Sequence, residues 1–170
     1  MNEKIFGIDP GSHRLGVACL QKKGNTFELL FAAVLNAPHK ETLYPRLSAL
    51  SIEVEKALDL WTPHVVAVED TFFAKNARSA FHLGMARGVA IGSCLRRSLP
   101  VFEYTPTQVK SVVKGYGRAD KAQVKKMVEL TLGRKLDLGF DATDAIAIAL
   151  CHAAQTKFAQ HLVSAKSLRP

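Results

Sequence analysis

Cysteine is scarce: three residues in 170, Cys19, Cys94 and Cys151, lie far apart in apolar surroundings. No C-x-x-C pair and no zinc-ligand spacing accompanies them, which argues against a disulfide framework or a structural zinc site and for buried free thiols. Uninterrupted apolar runs of about 18 residues are missing too, so no membrane-spanning helix is expected. Met1-Asn2-Glu3-Lys4 leads straight into Ile5-Phe6-Gly7-Ile8 without a signal-peptide apolar core, and a cytoplasmic location is expected. Internal repeats and low-complexity segments are absent. With 48% hydrophobic and 22% charged residues, the composition is globular rather than disordered or collagen-like. The length suits one domain that buries enough surface to fold without staples. One domain over 1–158 is expected, with a frayed tail over 159–170.

Acids are few relative to bases: 15 Asp plus Glu face 23 Lys plus Arg, a net charge of +8. The excess is segregated. Residues 74–126 hold eleven basic side chains, opposed only by Glu103 and Asp120, and the rest of the chain is close to neutral. A basic stretch of this kind favours a polyanion, nucleic acid before membrane surface.

Apolar periodicity gives strands over 4–9, 15–20 and 27–35, the last two joined by a hairpin at Lys22-Lys23-Gly24-Asn25. Leu43, Leu47, Leu50, Val54 and Leu58 mark a helix over 42–60. A buried strand over 64–69 follows, then a helix over 77–97, a short strand over 101–104, and helices opening at Thr105-Pro106, Asp120 and Asp141. Gly84, Gly88 and Gly92, four apart, predict close packing of their helix against the sheet or across a dimer. Three strands followed by strand–helix alternation imply an α/β fold: a mixed five-stranded sheet with helices on both faces.

Four acids sit where apolar runs end. Asp9 and Glu69 close strands and would point into the crevice outside the strands' C-terminal ends. Asp141 and Asp144 share one face of the last helix's first turn. Each has an ordinary alternative: helix capping for the last pair, a turn residue at Asp9-Pro10-Gly11, a solvated strand end at Glu69. Several carboxylates in one site repel one another, and burial raises their pKa values. A divalent cation makes such a cluster tolerable, and an all-oxygen donor set suits Mg²⁺ or Mn²⁺. Beside a basic surface, the cluster points to metal-assisted phosphodiester hydrolysis.

The series Gly7-Ile8-Asp9-Pro10-Gly11-Ser12, Val68-Glu69, Phe72-Phe73-Ala74-Lys75-Asn76, Leu83 to Ile91 and Asp141-Ala142-Thr143-Asp144-Ala145 resembles the RuvC family of bacterial Holliday-junction resolvases. Pro100 to Tyr104 and Gln108-Val109-Lys110 resemble it as well, so the likeness runs from Ile5 to about His152. It implies a ribonuclease-H-like fold, a homodimer, and symmetric nicking of two opposing strands of a four-way junction. The products would be ligatable 5′-phosphate and 3′-hydroxyl ends, made in recombination and repair beside a RuvA–RuvB branch-migration complex. By the same resemblance Asp9, Glu69, Asp141 and Asp144 match the metal-binding catalytic acids, and two Mg²⁺ ions, replaceable by Mn²⁺, are expected per site. Phe72 matches an aromatic that stacks on a base near the crossover, while Lys110 and Lys121 match basic residues of the DNA-binding and catalytic surface. Lys121 would neutralise charge developing on the phosphate; Lys75, Arg78, Lys114 and Arg118 complete the expected DNA contacts. Asp70, directly after Glu69, adds an acid to the pattern.

Three other readings stay open at this stage. A YqgF-like nuclease shares the Gly-x-Asp-x-Gly opening but is disfavoured by Asp141-x-x-Asp144 and by the Phe-Phe-Ala-Lys-Asn stretch. Actin-like ATPases open similarly but need two lobes and a longer chain. A junction-binding protein without catalysis would use the acids as caps only.

Overall fold

The turn chemistry and the short apolar runs of the first 36 residues build a meander. In the computed structural model, which describes residues 2–70, 76–114 and 120–166, β1 (Asn2–Asp9), β2 (Arg14–Lys23) and β3 (Thr26–Asn36) pair antiparallel in sequence order. Lys23 pairs with Thr26 across a two-residue hairpin whose Gly24 has φ 61°, a left-handed value that glycine takes at no steric cost. A bulge opposite Cys19/Leu20 shifts the β2–β3 register.

Helix α1 (Leu43–Trp61) then carries the chain to β4 (Val65–Glu69), which pairs parallel to β1. Helix α2 (Ala77–Leu95) carries it to β5 (Val101–Tyr104), parallel to β4. Helices α3 (Pro106–Lys114), α4 (Lys121–Leu132) and α5 (Phe140–Lys166) complete the described chain. The sheet order is β3-β2-β1-β4-β5. Two reversals return β3 to the direction of β1, so β1, β3, β4 and β5 all end at one edge of the sheet.

Strand alternation sorts side chains to two cores. Ile5, Val65 and Ala67 join Val124, Val128, Ile146 and Ile148 on the α3–α5 face, while Phe6, Ile8, Val66 and Val68 join Leu50, Val54 and Cys94 on the α1–α2 face. Ile5, Phe6 and Ile8 are fully buried, each contributing roughly 1.5–3 kcal/mol. By the same alternation Asp9 and Glu69 face the α5 side. All three cysteines are free and buried.

Helix α5 lies against the sheet through two glycines. A Cβ on Gly7 would stand 2.0 Å from the carbonyl oxygen of Ala145, and one on Gly16 2.0 Å from that of Asp141. The close contact predicted for Gly84, Gly88 and Gly92 is not made with the sheet. Gly84 and Gly88 have nothing within 4 Å of a Cβ position, and Gly92 meets only the Arg96 side chain at 3.7 Å. Helix α2 turns Ala86, Ala90, Ser93 and Cys94 inward instead. Helix α5 runs to Lys166, past the end near Phe158 that the pattern suggests; no glycine or proline interrupts residues 140–169. Among the described residues, no helix is long and apolar enough to cross a membrane.

Candidate active site

Two capping boxes set the walls of a cleft at the strand ends. Thr105 Oγ1 accepts from Gln108 N at 3.2 Å while Gln108 Oε1 accepts from Thr105 N at 2.8 Å, which starts α3 and puts Lys110 in its second turn. Asp120 and Gln123 form the same reciprocal pair at α4, leaving Lys121 as its first residue. Between these helices and the sheet edge lies a cleft of about 290 Å³ lined by Asp9, Glu69, Lys110, Lys121 and Asp144, with Pro106, Val109 and Val124 as its apolar wall.

Asp9 and Glu69 stand level on adjacent parallel strands, because Ile8 pairs with Val68 one residue earlier. Helix α5 starts at Phe140, and Thr143 N donates to Gly139 O at 3.1 Å. Asp141 therefore lies inside the first turn rather than at the cap, and the Gly16 contact brings that turn over Asp9. Lys121 Nζ donates to Asp144 Oδ2 at 2.9 Å, and Arg14 Nε lies 3.4 Å from Asp141 Oδ2. Arg14 was not visible as a site residue in the sequence; it reaches Asp141 only because the β1–β2 turn folds back over α5.

The electrostatics are those of a crowded carboxylate cluster. Burial pushes the Asp9 carboxyl up to about 8, reinforced by Asp144, Glu69 and Asp141 and opposed by Lys121. The hydrogen bond to Asp144 raises Lys121 above its ordinary value, so the ammonium stays charged. Among the described residues no three of the acids already stand close enough to clasp one ion, and Asp141 and Asp144 are paired with Arg14 and Lys121. The donor set nonetheless fits a hard divalent cation: four carboxylates, with Asp9 raised first by burial and then by its acidic neighbours, a penalty that a cation would relieve.

The other sequence candidates fall in several places. Arg78 is exposed in the first turn of α2, beside the Asn76 cap that accepts from Ser79 N at 2.9 Å. Phe72, Phe73, Lys75 and Arg118 lie outside the described residues, as does the side chain of Lys114. Asp70 pairs with Arg87 at 3.6 Å and does not line the cleft. Part of the basic excess is consumed internally: Arg87 meets Glu103 at 2.7 Å, Arg97 meets Asp59 at 2.7 Å, Arg96 pairs with Glu55, and Lys125 donates to Leu138 O at 2.7 Å. His152 is buried and hydrogen-bonded to the Tyr104 hydroxyl at 2.7 Å, away from the cleft.

The comparisons agree with this geometry. The family model described as crossover junction endodeoxyribonuclease RuvC matches residues 5–152. A relative of that name from Desulfitobacterium hafniense is 43% identical over 150 residues, covering 88% of this chain and 91% of its own. One from Thermosipho melanesiensis is 40% identical over 156 residues, covering 91% and 99%. Among solved structures, Thermus thermophilus RuvC in complex with a Holliday junction substrate superposes with a TM-score of 0.85 at 32% identity, covering 92% of this chain and 96% of that one. With its sheet order, acid-lined cleft and near-complete coverage by relatives, the chain belongs to the crossover junction endodeoxyribonuclease RuvC family.

Proposed function

We propose that this protein resolves four-way DNA junctions in recombination and repair by nicking two opposing strands within the Asp9–Glu69–Asp141–Asp144 cleft. The observation that carries the reading is the convergence of Asp9, Glu69 and Asp144 from β1, β4 and α5 on one cleft walled by Lys110 and Lys121, with Asp141 on the same turn of α5 adding its charge to the field at Asp9. Mg²⁺, with Mn²⁺ able to replace it, is the cation this donor set suits, two ions per site. When bound, the ions lower the pKa of attacking water and neutralise charge on the scissile phosphate and leaving oxygen.

The chain's own residues do the rest. Asp9, at a buried strand end, would hold the ions together with Glu69 from β4 and Asp141 and Asp144 from α5. Asp144 and Asp141, now paired with Lys121 and Arg14, would serve as ligands, and the two cations beside them would then be placed to meet phosphate oxygens. Lys110, across the cleft, holds the incoming strand by charge without reading its sequence. Phe72, Lys75, Lys114 and Arg118 belong to the same DNA surface in this reading, and Arg78 extends it along α2.

A junction has approximate two-fold symmetry, so the working unit is a C2 dimer with one cleft per nicked strand. The face that supports it lies on α1 and α2, where a groove of about 570 Å³ runs past Tyr44, Ile52, Met85, Gly88 and Gly92. Tyr44, Ile52, Phe81 and Leu95 are exposed there, and glycines let a second helix approach closely. The protein works in the cytoplasm beside RuvA–RuvB.

The test is a synthetic mobile junction with linear duplex as control, in Mg²⁺ and in EDTA. Paired, ligatable nicks that need metal and vanish with Asp9→Asn support the proposal. Binding without nicks leaves a junction-binding module, and cutting of duplex or RNA replaces the substrate.

A further inference from the structure

On the other face of the same sheet edge, the turn after Asp9 meets the start of α1. His13 O accepts from Ala37 N at 2.9 Å, which pins the turn to the end of β3. Beneath it stands Arg46, only 8% exposed. Its Nη1 lies 2.9 Å from both ring nitrogens of His13, one of which accepts its N–H. Its Nε is buried with no hydrogen-bond partner. Among the described residues, no carboxylate lies within ion-pairing distance of Arg46.

A buried guanidinium without a counter-charge is an expensive feature, since buried charges are otherwise paired. The surroundings make the imbalance larger. The groups whose charge acts on His13 are Arg46 on α1, His39 on the β3–α1 connection and His82 on α2, and none is an acid. Desolvation first, and then these neighbours, hold His13 below its ordinary pKa, which favours the neutral ring that accepts from Arg46. The first turn of α1 contains no acid, and Thr42 makes no side-chain cap. A buried guanidinium and the imidazole that caps it thus meet where the described residues supply no carboxylate.

We infer that Arg46 and His13 form a second phosphate subsite that takes a backbone phosphodiester of the DNA strand entering the cleft. The inference rests on the junction-cutting reading above. The placement fits a strand rather than a free anion. His13 follows Asp9 by four residues at the same sheet edge. A strand crossing the edge would touch Lys110 and Lys121 on one face and Arg46 and His13 on the other. Phosphate contacts of this kind fix the register of the strand and carry no base specificity.

The test measures the affinity of full-length protein for a fluorescent four-way junction in EDTA between 50 and 200 mM KCl, comparing wild type with Arg46→Gln and Arg46→Lys. Removing one phosphate contact should lower affinity about tenfold at 100 mM KCl and make the slope of log K against log [salt] shallower by about 1. Arg46→Lys should retain the slope. A merely structural arginine would instead show a lower melting temperature with wild-type slope in Arg46→Gln, which would overturn the inference. Should Arg46→Gln lose its cooperative melt, His13→Ala at an exposed position serves: a fivefold loss of affinity supports the subsite and none overturns it. Inorganic phosphate that raises the melting temperature of wild type but not of Arg46→Gln, with unchanged junction binding, would assign a free-anion site and also overturn it. Wild-type protein that never nicks junctions would sink the parent reading instead, a distinct result.

Discussion

Replacing Asp9 by Asn should destroy cleavage and yet make the metal-free protein harder to melt. Burial and three neighbouring acids raise the Asp9 pKa from 3.8 to about 8. Below pH 3.8 the carboxyl is protonated in both folded and unfolded chains and contributes no pH dependence. Between about 4 and 8 only the unfolded chain ionises, so native stability falls by about 1.4 kcal/mol per pH unit. Above about 8 the penalty is complete. Four units set a ceiling of about 5 kcal/mol. Water entering the open cleft and relaxation of the flanking acids reduce this to about 2–3 kcal/mol at pH 8, given the high effective dielectric of such sites. For a chain of this size that amounts to about 4–12 °C in Tm. Differential scanning calorimetry in EDTA at pH 5 and pH 8 is the assay: Asp9→Asn should gain on wild type at pH 8 and much less at pH 5. Addition of Mg²⁺ should raise the wild-type Tm and leave the variant unmoved. An Asp9→Asn protein that melts below wild type in EDTA at pH 8 would refute the strained-cluster reasoning.

Lys121→Gln should lower the single-turnover nicking rate about 10²-fold while changing stability by less than about 1 kcal/mol, because the Asp144 pair is largely exposed on its lysine side. Gly16→Ala should drive a methyl into the Asp141 carbonyl, costing about 1–3 kcal/mol and lowering nicking with all four acids intact; thermal melting and cleavage assays on one preparation check both. Gly88→Glu should leave the protomer folded, since its Cβ meets nothing within 4 Å, but abolish the dimer by analytical ultracentrifugation; a monomeric wild type at micromolar concentration would refute the α1–α2 dimer face. Chelation with EDTA should stop nicking and retain junction binding, measured by gel shift.

Element types and order were legible in the sequence because they rest on local rules: short apolar runs bounded by turn residues for the strands, three-to-four spacing for α1, Thr105 and Asp120 as caps. The acids were legible for a related reason. A carboxylate at the end of a buried strand is locally conspicuous, and Asp141 and Asp144 share a helical face by spacing alone. The tertiary structure decided what depends on which surfaces meet. Gly84, Gly88 and Gly92 advertise close packing, yet the glycines that admit α5 to the sheet are Gly7 and Gly16, because β1 and β2 pass beneath its first turns. Net charge marked residues 74–126 as a polyanion surface, but Arg87, Arg96, Arg97 and Lys125 find partners inside the fold. Arg14 at Asp141 and Arg46 at His13 join residues far apart in the chain. Their pairing follows from a hairpin register and a helix position that no local pattern encodes.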